Sequence, residues 1–189
     1  MSRHFYHPYL LTLAAICAFS ACAAKSTAQD QPAQDQPAPA AAQEDPAAVK
    51  KLASELSKAG RRDEAIIQYK KVYDLEPTLE NGIAWAKSLL AVERYNDTLS
   101  AAESMLDKFK SDPGLHIFIA EACEARALAR TRDGADKVTI AAEYEAAARA
   151  IEDALLLKPG DPELYCSLIR FLLFATKYEE AVEVAEKAR

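Results

Sequence analysis

From Asp45 onward the chain alternates apolar stretches with short polar breaks, and within each stretch the apolar positions recur at helical spacing. Asp45-Pro46, Asp112-Pro113 and Asp161-Pro162 each open such a stretch. A second mark recurs inside the pattern: Arg62-x-x-Ala65, Tyr95-x-x-Thr98, Tyr144-x-x-Ala147 and Tyr178-x-x-Ala181. Pro113 follows Pro46 by 67 residues, which accommodates two units of about 34. Units this short cannot bury an apolar face alone, so they are predicted to stack on one another. Pro162 follows Pro113 by 49 residues, a surplus of 15 over that unit, and the surplus falls between Cys123 and Tyr144 on both sides of Asp133-Gly134. Both helices of the third unit are therefore predicted to be longer by about two turns and to form a protruding hairpin. Arg126 and Arg130 lie one turn apart on it, with Arg132 and Lys137 near its tip. Such a basic tip either docks an acidic partner or lipid headgroups, or is a solvated charged surface.

The pattern is still helical in its last stretch, KYEEAVEVAEKAR (177 to 189), where Val182, Val184, Ala185 and Ala188 keep the period and no glycine or proline closes it. The preceding stretch, 164 to 177, is apolar on nearly every side. Three readings follow: a truncated product, a fourth unit that dimerises through its open end, or a partner that supplies the cap.

Ahead of the repeats, residues 1 to 8 carry Arg3 and two histidines, residues 9 to 19 are mostly apolar, and Ser20-Ala21-Cys22 follows. This is the layout of an export signal. An apolar run that short falls well below the roughly 20 residues needed to span a bilayer. Phe19-Ser20-Ala21-Cys22 resembles the lipobox of bacterial lipoproteins. That resemblance implies removal of residues 1 to 21, acylation of Cys22 and retention at a membrane; in the enterobacterial sorting pattern, Ala23 implies the outer membrane, facing the periplasm. The alternative is ordinary cleavage near Ala21 to Ala24, giving a soluble exported protein. Residues 22 to 45 repeat AQDQP in succession and lack aromatic and branched aliphatic side chains, so they are expected to be a disordered tether spanning on the order of 27 Å.

The four units, 46 to 78, 79 to 112, 113 to 161 and 162 to 189, resemble the tetratricopeptide repeat. The matching positions are Val49, Leu52-Ala53, Leu56, Ala65, Tyr69 and Pro77, then Gly82, Trp85-Ala86, Leu89, Thr98 and Ala102. In the third unit they are His116, Ile119-Ala120, Cys123, Ala147, Ile151 and Pro159, and in the fourth Tyr165, Leu168-Ile169, Leu172, Ala181 and Ala185. The resemblance implies an all-α, right-handed solenoid of four hairpins. It also implies a concave groove for extended or helical peptides, lined by the first helix of each unit. Carried over, the groove positions are Lys50, Ser54, Ser57 and Lys58; Glu80, Ile83, Lys87 and Leu90; Ile117, Glu121 and Glu124; and Glu163, Cys166, Arg170, Leu173 and Phe174. The lysine and asparagine clamp of chaperone-binding members is missing. This groove grades from polar to apolar, which suits an amphipathic segment of another protein.

Half the residues are hydrophobic and 28% are charged, enough for a packed core. The formal net charge of -6, or -7 without Arg3, gives a nucleic acid little electrostatic support. Chemistry is sparse. Past Cys22 only His116, Cys123 and Cys166 remain among histidines and cysteines, and His116 and Cys123 stand two turns apart on one helix, too far for a nucleophile and its base. Neither a metal-ligand cluster nor a glycine-rich phosphate loop is present, and no cofactor is expected. The expected function is a membrane-tethered, non-enzymatic scaffold that binds a protein partner in the bacterial envelope during assembly, secretion or wall remodelling. The alternatives are an enzyme acting on wall glycans through carboxylates, and an exported protein that self-assembles through its last repeat.

Overall fold

The computed structural model describes residues 44 to 188. The export segment, Cys22 and most of the proposed tether lie outside the described residues. Within them the chain forms eight helices and no strand: α1 (Pro46–Lys58), α2 (Arg62–Leu75), α3 (Leu79–Leu90), α4 (Tyr95–Phe109), α5 (Pro113–Arg132), α6 (Lys137–Leu157), α7 (Pro162–Phe174) and α8 (Tyr178–Lys187). Each helix packs on the next, and α3 also reaches α5, so four hairpins stack into an α-solenoid.

The aspartate-proline pairs act as the sequence pattern requires. Asp45, Asp112 and Asp161 cap α1, α5 and α7, each side chain accepting a backbone N–H of the first turn while proline occupies the turn itself. Thr78 does the same for α3 by accepting from Asn81 N. Inside each hairpin the first helix closes on a left-handed residue: Gly60, Glu93, Gly134 and Thr176. In all four the following N–H returns to a carbonyl five residues back, as Arg61 to Leu56, Arg94 to Leu89, Ala135 to Arg130 and Lys177 to Leu172. One turn geometry is thus used four times, with glycine at only two of the four sites.

The third hairpin is extended as expected. Its helices have 20 and 21 residues, whereas α1 and α7 have 13 each. Small residues line the seams: Ala53, Ala86, Ala102, Ala127, Ala147 and Ala154 are fully buried, so helices approach closely. Gly82 is tightest of all, since a Cβ there would lie 2.1 Å from Met105 Sδ and 3.1 Å from Tyr73. Two apolar clusters result, one around Met105, Leu115 and Phe118, the other around Tyr144, Ile151, Leu168 and Phe171. His116 is buried in this framework, with Nε2 2.9 Å from Lys110 O and Nδ1 3.7 Å from Asp153.

Candidate partner-binding surface

Four first helices, α1, α3, α5 and α7, carry the expected groove positions, and the structure pairs several of them with one another. Lys50 Nζ of α1 donates to Glu80 Oε1 of α3 at 2.8 Å and to Asn81 Oδ1 at 3.3 Å. That hydrogen bond holds the Glu80 carboxyl below the usual carboxylate range. Arg170 of α7 reaches Glu124 of α5 through both terminal nitrogens, at 2.6 and 3.3 Å, and its guanidinium lies 4.7 Å from the centre of the Phe171 ring. Four of the expected groove charges therefore tie neighbouring hairpins together. Lys58, Lys87, Glu121 and Glu163 remain exposed without an ion pair among the described residues, as does the hydroxyl-bearing Ser57, while Ser54 is half-buried.

The apolar positions divide in the same way. Ile83, Leu90 and Ile117 are half-buried against the core clusters and offer little free surface. Leu173 and Phe174 are 47% and 54% exposed. Phe174 is not loose: its ring stacks on Tyr144 of α6 with centroids 4.8 Å apart. Burial pushes the Tyr144 phenol up from its ordinary value, Glu124 adds to the shift and Arg170 opposes it. Together with Cys166, Ile169 and Arg170, these two side chains line an open, mostly apolar depression of 350 Å³ on α7. A rigid platform with exposed apolar side chains is suited to accept the apolar face of a partner segment.

The four tip cations are placed differently from a free basic patch. Arg126 Nε and Arg130 Nε each donate at 2.7 Å to opposite oxygens of Glu143, a carboxylate 7% exposed, and Arg126 also donates to Asn96 Oδ1 at 3.1 Å. Arg132 spans to Glu93 of the second hairpin at 2.9 Å and to Asp133 at 3.3 Å. Only Lys137 of the four has no ion pair among the described residues. The arginines thus clamp the extended hairpin to the turn between α3 and α4. Glu143 was not singled out by sequence pattern, yet reflecting the hairpin about Gly134 brings 143 opposite 126, and that symmetry is the signal that finds it.

Catalytic groupings do not emerge from this geometry. Cys123 is buried and its thiol is pushed up by that burial, while Cys166 is exposed on α7. Among the described residues no group of three or more histidine, cysteine, aspartate or glutamate side chains could hold a metal ion, and no helix is long and apolar enough to cross a membrane.

No protein-family model matches the chain, and no curated protein matches it. Solved structures do. MamA from Desulfovibrio magneticus RS-1 is 18% identical over 76% of this chain and 73% of its own, with a TM-score of 0.54. TTC0263, described as a thermophilic TPR protein in Thermus thermophilus, gives 18% identity, the same coverages and a TM-score of 0.54. The fold is of the tetratricopeptide type. Human IFIT1, solved as a dimer with m7Gppp-AAAA, shares this tetratricopeptide-type architecture at 16% identity and a TM-score of 0.59, covering 76% of this chain but 33% of its own. At these identities the likeness extends to the fold of the array and not to its ligands.

Proposed function

We propose that the protein is a non-enzymatic scaffold of the cell envelope that binds a segment of another protein through the apolar depression on α7. The observation that carries this reading is the pair Leu173 and Phe174, about half exposed and held in place by the Tyr144 stack and the Arg170 to Glu124 bridge. Large apolar side chains kept at the surface by a rigid support are characteristic of binding surfaces rather than of solvated ones. The envelope location and membrane attachment rest on the export layout of residues 1 to 21 and on Cys22 as the acylated residue.

A protein ligand fits the charge better than a nucleic acid does. IFIT1 was solved with m7Gppp-AAAA, but here the formal net charge is -6 and Arg126, Arg130 and Arg132 are each engaged by carboxylates. A phosphate backbone would find no continuous cationic path.

The test is affinity capture from solubilised membranes with the full chain and with a Leu173→Glu, Phe174→Glu double variant, followed by mass spectrometry. Loss of specific partners with an unchanged helical circular-dichroism spectrum is the expected result. An identical partner set from both proteins would overturn the reading. For the anchor, incorporation of labelled fatty acid should vanish in Cys22→Ala, and its persistence would refute acylation at that residue.

A further inference from the structure

A second surface lies away from α7, between the outer helices of the first two hairpins. α2 and α4 make no close backbone approach to each other, and the gap between them is floored by Trp85 of α3. Ile66 and Lys70 form one wall and Ala101 and Ser104 the other, enclosing a mostly apolar groove of 380 Å³ with Arg94 and Asp97 at one end. The small side chains on α4 keep it open. Trp85 is fixed in position: its ring stacks on Tyr73 with centroids 6.0 Å apart, and Lys70 Nζ stands 5.6 Å from the ring centre. Its carbonyl accepts from Ser88 Oγ at 2.6 Å, while its indole N–H has no acceptor among the described residues and is not sealed from water.

These features together describe the ligand. A flat aromatic floor favours rings that can lie on it, and an outward-facing indole N–H requires an acceptor from the ligand. An extended segment containing prolines supplies both. Proline rings are apolar and flat-sided, the carbonyl preceding each proline is a free acceptor, and the polyproline II backbone is already extended before binding. Charge narrows the choice. The groove residues include Lys70 and Arg94 against Asp97 alone, and Lys70 and Arg94 remain half-exposed where they bridge Asp74 and Asp97, so an acidic side chain beside the prolines is favoured over a basic one.

We infer that the Trp85 groove is a docking site for a proline-bearing, acidic segment of a partner protein in the polyproline II conformation. This surface uses none of the residues of the α7 depression, so the two sites can be occupied and disrupted independently.

Trp85 is the only tryptophan in the chain, which makes the groove its own reporter. The experiment titrates the full-length protein with an acetylated peptide of six prolines flanked by glutamates while following tryptophan emission. The expected result is a saturable shift to shorter wavelength with reduced acrylamide quenching, a several-fold weaker response in Lys70→Glu, and an undiminished one in the Leu173→Glu, Phe174→Glu variant. Lys70 is exposed on α2, so its reversal leaves the fold intact, which circular dichroism checks. The proposal is overturned by an unresponsive Trp85 or by an equal response to a peptide in which glycines replace the prolines. It is also overturned if Lys70→Glu binds as tightly as the parent, or if single-stranded oligonucleotide shifts the emission where the peptide does not.

Discussion

The third and fourth hairpins are built on one plan and end in opposite conditions. The third has helices of 20 and 21 residues, buries Glu143 between two arginines and fastens its tip to the second hairpin through Arg132 and Glu93. In the fourth, helices of 13 and 10 residues leave Leu173, Phe174, Tyr178 and Val182 largely exposed, and α8 buries only Ala181. What differs is where each hairpin directs its side chains. The third turns its charges inward and becomes a strut; the fourth leaves its apolar side chains outward and becomes a surface.

The most severe way to break this contrast is Glu143→Ala. Two half-buried guanidiniums would lose their shared acceptor, and the expected loss of stability is roughly 3 kcal/mol, read from urea denaturation midpoints. Replacing Leu173 and Phe174 together should cost well under that, because about half of each side chain is already in water. Comparable losses from the two changes would refute the division into strut and surface.

A smaller effect of opposite sign in the two hairpins comes from their turns. Gly134 and Thr176 occupy the same left-handed position, at φ 77° and 62°. Gly134→Ala should destabilise by about 1 kcal/mol and Thr176→Gly should stabilise by a similar amount, since a Cβ is disfavoured in that conformation and β-branching worsens it. Paired thermal melts check both.

The smallest effect is the response to acid. Asp136 caps α6 and its carboxyl is held low chiefly by the Thr139 hydroxyl; Asp161 caps α7 and is held low chiefly by Lys158. A carboxyl whose folded value is depressed stabilises the fold above its unfolded value and loses that contribution as pH falls through the folded one. Stability should therefore decline below about pH 4, and Asp136→Asn and Asp161→Asn should each flatten the decline. An unchanged slope in both variants would remove the caps from the account.

Much of the array was legible in the sequence because its determinants are local. Aspartate followed by proline marks a helix start within three residues, and the small residues at the seams repeat with the unit. The extended hairpin was legible as a surplus of length. The expected groove was legible only as a set of positions, because occupancy depends on partners far along the chain: nothing near Lys50 announces Glu80, and nothing near Arg170 announces Glu124. For the same reason the tip arginines read as free cations until Glu143 and Glu93 were placed beside them. Trp85 was legible as a core landmark, but the groove above it exists only because Ala101 and Ser104 face it from another helix.

The extension of the third hairpin also has a geometric neutrality. α6 begins seven residues ahead of Tyr144, whereas α4 and α8 begin at the equivalent Tyr95 and Tyr178. Seven residues are close to two full turns, so the added length moves the tip by about 11 Å along the helix axis while rotating it by almost nothing. Core side chains below the insertion keep the faces they have in the shorter hairpins, and the turn at Gly134 keeps its hydrogen bonds. Reach and packing are thereby uncoupled: a whole-turn change in both arms alters how far the strut extends without asking the core to repack, whereas removing three or four residues from one arm alone would offset the two arms at the turn.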